Sequence, residues 1–145
     1  MSNLIVTRPD EREATLNVLG SSVTVLVSGS DYDLRVTLQS GDKGVGPPPH
    51  SHDWDESFFV TKGQVDFTCQ GETSICPAGT IVYVPAGTVH SFSYGRGGGE
   101  FIEVTGRTSK AIEMFSSLAR RVDSRKPDFE TVVQIFNEHG VTFHN

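Results

Sequence analysis

The chain is poor in cysteine, in basic charge and in long apolar runs, and each shortage narrows what it can be. Only Cys69 and Cys76 occur among its 145 residues, too few for a disulfide framework and without metal-ligand spacing. Both are expected to be free and buried as small apolar side chains, as in a reducing compartment. They flank Gln70-Gly71-Glu72, which reads as a hairpin turn setting Cys69 opposite Glu72 and Cys76 opposite Val65, on different rungs. Twelve Lys and Arg stand against eighteen Asp and Glu, a formal net charge of −6. That balance argues against nucleic acid or an anionic membrane surface as partner, since either is met by a basic face, and favours a small molecule. No stretch approaches the roughly 20 apolar residues of a membrane helix. The run Met1 to Val6 is too short for a secretory signal, so the expected location is cytoplasmic.

What is there is organised in two zones. From about residue 15 to 105, short β-branched runs alternate with Gly, Pro, Asn, Asp and Ser, the pattern of an all-β sandwich or barrel. The strands predicted are Leu16–Val18, Val23–Val27, Leu34–Leu38, Glu56–Val60, Gln64–Cys69, Ile81–Val84, His90–Tyr94 and Phe101–Val104, with Gly95 to Gly99 as a flexible hairpin. Strands this dense leave no room for crossover helices, so antiparallel pairing is expected. After Thr105 the period changes. Ile112, Phe115, Ala119 and Val122 predict an amphipathic helix over 109–122 with Ser109 as N-cap; Phe129, Val132, Val133 and Phe136 predict a second, opened by Pro127-Asp128 and closed by Gly140. Both helices are expected on the outside of the barrel, in one domain spanning 1–145 with its helical segment at about 109–140.

Chemistry concentrates at Pro47-Pro48-Pro49-His50-Ser51-His52-Asp53-Trp54-Asp55-Glu56. In an extended strand residues i and i+2 face the same way, so His50 and His52 project together. A turn at Asp53-Trp54-Asp55 returns Glu56 beside them, and His90, behind Pro85-Ala86-Gly87-Thr88, can close the set. Three imidazoles with one carboxylate suit iron, nickel, manganese, copper, cobalt or zinc rather than calcium or magnesium, and leave coordination positions open. A lone histidine on a strand is ordinarily a hydrogen-bonded core residue; here the surroundings reverse that expectation. His139 and His144, away from the cluster, read as surface residues.

These residues resemble the cupin superfamily. Gly44, His50, His52, Glu56 and Gly63 match its first motif, and Gly79, Pro85, Gly87 and His90 its second, where Tyr94 replaces the final Asn. The resemblance implies an all-β jelly-roll barrel of antiparallel double-sheet type, with one divalent metal ion held by His50, His52, Glu56 and His90. Gly63 and Gly79 are expected in turns, and Pro85 and Gly87 bend the chain to aim His90 inward. By parity Phe58 and Val60 share the face of Glu56, and Phe92 and Tyr94 that of His90; these four with Trp54 are the candidate substrate wall.

Within the superfamily the chain is similar to small single-barrel cupins related to flavonol dioxygenases, of which quercetinase is the best-known activity. The carrying residues are Val23 to Asp31, Pro47 to Pro49, Asp55 to Val60, and Phe129 to Gly140 with Val141 and Phe143. The resemblance implies a metal-dependent dioxygenase for an enolisable or phenolic carbonyl compound of flavonol or polyketide type, with Glu56 as proton acceptor. An oxygen-independent Lewis-acid cyclase, isomerase or lyase, and a non-catalytic binding module, are the alternatives. Apolar residues on both faces of Phe58–Val60 and Ile81–Val84 call for cover by the N-terminal strand, the helices or a second copy, and a homodimer is expected.

Overall fold

The computed structural model of the protein describes residues 4–145; Met1–Asn3, the start of the short N-terminal apolar run, lie outside it. The strands are β1 (Leu16–Val18), β2 (Ser21–Val27), β3 (Leu34–Gly41), β4 (His50–His52), β5 (Glu56–Cys69), β6 (Glu72–Pro77), β7 (Ile81–Val84) and β8 (Ser91–Gly106). Helices α1 (Ala111–Arg121) and α2 (Phe129–Glu138) follow, then strand β9 (Val141–Phe143). Seven strands form one antiparallel sheet in the order β1-β2-β3-β8-β5-β6, with β7 also on β5; β4 pairs with β9. The fold is the expected all-β jelly roll with two C-terminal helices. No helix of the described residues is long and apolar enough to cross a membrane.

Two pairs of predicted strands prove to be single strands. Gly63 lies inside β5 rather than in a turn, at a bulge where the register with β8 shifts on either side. Its φ is +64°, and a Cβ there would stand 2.2 Å from the Gly98 carbonyl oxygen, so glycine lets the strand kink without losing its ladder. Gly95 to Gly99 likewise lies within β8 and is no free hairpin. Val65 pairs with Tyr94 and Gly63 with Gly99, so four β8 residues bulge out opposite Gln64 while the strand continues.

The turn at Gln70-Gly71 is as expected, both residues having positive φ, and it sets Cys69 opposite Glu72 and Cys76 opposite Val65. Cys76 is buried and free, but Cys69 is free and exposed, contrary to expectation, because it occupies the last rung beside the solvent-facing turn.

α1 begins two residues later than predicted. Ser109 still serves its first turn, its Oγ accepting from the Ala111 N–H at 3.2 Å. Gly140 follows the second helix at φ +76°. The helices do not lie on the outside of the barrel. Their apolar stripes form one cluster with Val18, Val23, Trp54 and Val141, so they roof the open side, and the ion pair from buried Arg35 on β3 to Glu113 on α1, at 2.6 Å, fastens that roof. A second cluster, around Phe58, Val60, Val65 and Phe101, fills the barrel itself. On the outer face Phe59, Ile81 and Tyr83 are 44%, 62% and 58% exposed in the single chain, so neither the N-terminal strand nor the helices cover them.

Candidate metal centre

The local fold explains why four side chains meet. β4 is only three residues long, and its alternation turns His50 and His52 inward while Ser51 faces the other way. Reciprocal backbone hydrogen bonds of 2.9 Å join His50 to His90, and the Gly87 N–H donates to the His52 carbonyl at 2.8 Å, so the turn before β8 is fastened to the ligand strand. Gly87 makes this possible at φ +83°. Asp55 braces the same corner, accepting from the Ala86 N–H at 2.7 Å and from the Tyr83 hydroxyl; these bonds hold its carboxyl below the ordinary value. Glu56 opens β5 immediately afterwards.

His50, His52, Glu56 and His90 are all buried, and one ligand atom from each lies within 4.8 Å of every other. Each imidazole is aimed by a backbone carbonyl two residues away. Nδ1 of His50 lies 3.0 Å from the Pro48 oxygen, Nδ1 of His52 lies 2.9 Å from that of Trp54, and Nδ1 of His90 lies 2.9 Å from that of Thr88. A carbonyl only accepts, so every Nδ1 carries the proton and, in a neutral ring, every Nε2 presents a lone pair. Those of His52 and His90 point at Glu56 Oε1 from 2.9 and 2.8 Å. Three acceptors converging on one point repel one another unless protons or a cation intervene. A divalent ion satisfies all of them at once, and the donor set suits a borderline metal.

The electrostatics agree. Burial, with the neighbouring His90, lowers His50 to about 4, so it is a neutral ligand at physiological pH. Burial pushes Glu56 up, but the His52 and His90 rings against its carboxylate outweigh burial and hold the carboxyl below its usual range. Burial is the largest influence on His90 and pulls it down, but the contact with Glu56, the Glu56 charge and the Thr88 carbonyl together outweigh burial and raise it.

Beside His50, His52 and Glu56 lies a cavity of about 290 Å³, walled mostly by apolar side chains. This is near the lower limit for drug-sized ligands. Of the predicted wall, Phe58, Phe92 and Trp54 face it, Trp54 stacking on the His52 ring at 4.4 Å and 10°. Val60 and Tyr94 are placed elsewhere, 0% and 1% exposed in the barrel core. The Tyr94 hydroxyl meets Ser21 Oγ at 2.6 Å, and burial pushes it up to about 12. The roof contributes Met114, Phe115, Leu118, Phe129, Val132 and Phe136, so the helices expected to be mere outer packing build the ligand chamber.

Two features were missed in the sequence. Glu103 on β8 is buried and lines the same cavity as Glu56, its Oε1 accepting from Thr37 Oγ1 at 3.3 Å; burial and the Glu56 charge raise it well above the ordinary carboxylate value. Its signal was present: alternation along Phe101 to Thr105 puts an acid at an inward position. His139 and His144 are half-buried rather than surface residues, and neither joins the cluster. His139 Nδ1 meets the Ile135 carbonyl at 2.7 Å, and His144 Nε2 meets Ser51 Oγ at 2.7 Å, beside the ligand strand.

A family model described as a cupin domain matches residues 34–104. Quercetin 2,3-dioxygenase of Bacillus subtilis is 39% identical over 72 residues, 48% of this chain and 21% of that protein. The chain spans less than two thirds of the curated relatives it matches, 61% of one and 21% of the Bacillus enzyme. Among solved structures, KdgF from Halomonas sp. superposes with a TM-score of 0.67 at 18% identity, over 76% of this chain and 99% of that one. The polyketide cyclase RemF from Streptomyces resistomycificus does so with 0.60 at 21% identity, over 74% and 80%. At these identities the structural likeness shows the fold alone.

Proposed function

Because this chain belongs to the cupin family and gathers His50, His52, Glu56 and His90 at one point, we propose that it is a metal-dependent dioxygenase for an enolisable or phenolic carbonyl compound of flavonol or polyketide type. The observation that carries this reading is the convergence of lone pairs on Glu56 Oε1 directly beneath an apolar chamber. The partial likeness to quercetin 2,3-dioxygenase supports the choice of reaction. When bound, the ion would supply Lewis acidity that lowers the pKa of an enol or phenol oxygen and, if redox-active, a route for electrons toward dioxygen. His50, His52 and His90 hold their orientation through the Nδ1 bonds. Glu56 takes the substrate's hydroxyl proton on its carboxylate. Phe58, Phe92 and Trp54 sandwich the ring system, and Phe115, Leu118 and Phe136 keep water from the electron-rich carbon. Both atoms of dioxygen end in the product and the substrate provides the electrons, so no external reductant is required.

The test is oxygen uptake by protein loaded in turn with iron, nickel, manganese, copper and cobalt, offered flavonols and β-diketones. Uptake that depends on the ion and disappears in His52→Ala supports the reading; no uptake with any pairing overturns it. A second reading, an oxygen-independent Lewis-acid cyclase, isomerase or lyase, is favoured by the two carboxyl groups, Glu56 and Glu103, that line one chamber and offer proton transfer without redox chemistry. Turnover under nitrogen with zinc would select it.

A further inference from the structure

Three inward positions of β3, Arg35, Thr37 and Gln39, are polar and buried, in a barrel filled otherwise around Phe58, Val60, Val65 and Phe101. Arg35 is accounted for by its ion pair with Glu113. Thr37 and Gln39 lead instead to a further buried polar residue, Glu103, which pairs with Thr37 across the sheet. Gln39 Nε2 donates to Thr37 Oγ1 at 3.0 Å, and Thr37 Oγ1 donates to Glu103 Oε1 at 3.3 Å. A threonine hydroxyl that has given its one proton can only accept, so the Gln39 amide is held with its nitrogen toward Thr37 and its carbonyl turned away.

These bonds leave capacity unused. An amide offers two N–H donors and an accepting oxygen, and a carboxyl offers two oxygens. Among the described residues no hydrogen bond engages Gln39 Oε1 or Glu103 Oε2. Neither oxygen is sealed in, since the enclosed side-chain atoms without a partner are Arg35 Nε and Trp54 Nε1. Both side chains line the chamber, so that is the space their free groups reach. Ser21 lines it too, but its Oγ is engaged by the Tyr94 hydroxyl and the Ser40 carbonyl. Register gives the placing. Glu103 pairs with Phe58, two residues beyond Glu56; Gln39 pairs with Phe101, and Phe101 with Val60, four residues beyond Glu56. At about 3.3 Å per residue these rungs lie roughly 7 and 13 Å along the strands from that of Glu56.

We infer that Gln39 and Glu103 form a second anchoring point of the chamber, which binds a hydroxyl group of the substrate at the end away from His50, His52 and Glu56. A hydroxyl donates to one of the free oxygens and accepts from the remaining amide N–H at once. A keto or ether oxygen only accepts and leaves the carboxyl unpaired, and a hydrocarbon edge leaves both groups unpaired. The substrate class is thereby narrowed to phenolic compounds that carry a hydroxyl beyond the one that meets the metal site. The inference rests on the reading of the chamber as a site for a phenolic compound, and not on the consumption of oxygen.

The experiment is calorimetric titration of the zinc-loaded full chain under nitrogen with the parent flavonol, whose one hydroxyl stands beside its carbonyl, and with kaempferol and quercetin, which carry further hydroxyls on both outer rings. Wild type should bind the two hydroxylated compounds at least about tenfold more tightly than the parent, and Gln39→Met should bring that ratio to within about threefold of unity. A residue that only holds the barrel together would weaken all three ligands alike and leave the ratio where it was, and that result overturns the proposal. So does a wild type that binds all three equally. If Gln39→Met does not fold, Glu103→Met carries the same expectation, and an unchanged ratio there refutes it. Hydroxyl-dependent binding without oxygen uptake under any redox-active ion would overturn the dioxygenase reading and keep the anchor. Oxygen uptake without preference for the added hydroxyls would do the reverse, and binding of none of the three would overturn both.

Discussion

Metal-stripped protein should lose stability on acidification through one imidazole, His50. Its folded-state pKa is lowered from 6.5 to about 4 by burial and by His90. The unfolded chain therefore takes up this proton as pH falls below 6.5, while the folded chain refuses it until about pH 4, and the stability tied to the neutral ring is lost across that window. The shift corresponds to about 3 kcal/mol in all at 1.36 kcal/mol per unit, of which about 2 kcal/mol falls between pH 7 and pH 5. Other groups move differently. His90 is raised, so its contribution is complete below 6.5 and is lost only as pH rises through its folded pKa. Glu56 is lowered from 4.5, and its contribution is lost only below that value. Glu103 is raised, so its contribution is present below 4.5 and lost as pH rises, opposite in sign to that of His50. The clean measurement is thus a difference: urea unfolding of wild type and of His50→Gln, both treated with chelator, at pH 7 and pH 5. Wild type should lose about 2 kcal/mol more than the variant over that interval. Parallel losses would mean that His50 titrates like a solvated ring, and the argument for a preformed neutral ligand would fall with it.

Trp54 is the only tryptophan in the chain and stacks on His52 at 4.4 Å, so cobalt, nickel or copper bound at the cluster should quench its fluorescence with one-to-one saturation. Binding by calorimetry without quenching would place the ion elsewhere. Leu118→Ala, at a roof position 2% exposed, should cost about 2 to 5 kcal/mol in chemical denaturation and enlarge the chamber, weakening an aromatic ligand while leaving metal affinity in place. Removing residues 141–145 deletes β9, the sheet partner of β4, together with the contacts of His144 to Pro49 and Ser51. Metal affinity should drop at least tenfold in calorimetry, while the β-sheet circular dichroism band persists; an unchanged affinity would show that β4 is held by the His50–His90 pair alone.

The clustering of His50, His52, Glu56 and His90 was legible because its information is local. Residue parity within His50-Ser51-His52 fixes one face, and the turn residues Pro85 and Gly87 fix how His90 re-enters, so short-range rules suffice to aim each ring. The helices were legible as helices for the same reason, since an amphipathic stripe states which face is buried. It does not state against what, and the expectation of outer packing failed because the apolar partner of Leu118 and Phe136 is the mouth of the barrel, a surface made by strands distant in sequence. Val60 and Tyr94 show the matching limit in strands. Parity puts Val60 on the face of Glu56 and Phe58, but depth along the barrel decides whether a side chain meets the chamber or the core. β9, three residues long, owes its existence to pairing with β4 rather than to its own propensity.

Glu103 was missed for a different reason, and it separates the two halves of the site. An inward acid on an apolar strand is visible in the alternation, but its meaning depends on what stands opposite it on β3 and β5, and register is set by the Gly63 bulge rather than by composition. The imidazoles are aimed by backbone carbonyls two residues away in their own segments, whereas Glu103 is placed by its partners across the sheet, Thr37 on β3 and Phe58 on β5. The cluster of His50, His52, Glu56 and His90 is thus a product of one short strand and two turns, while the acid beside it in the chamber is a product of the register of the whole sheet.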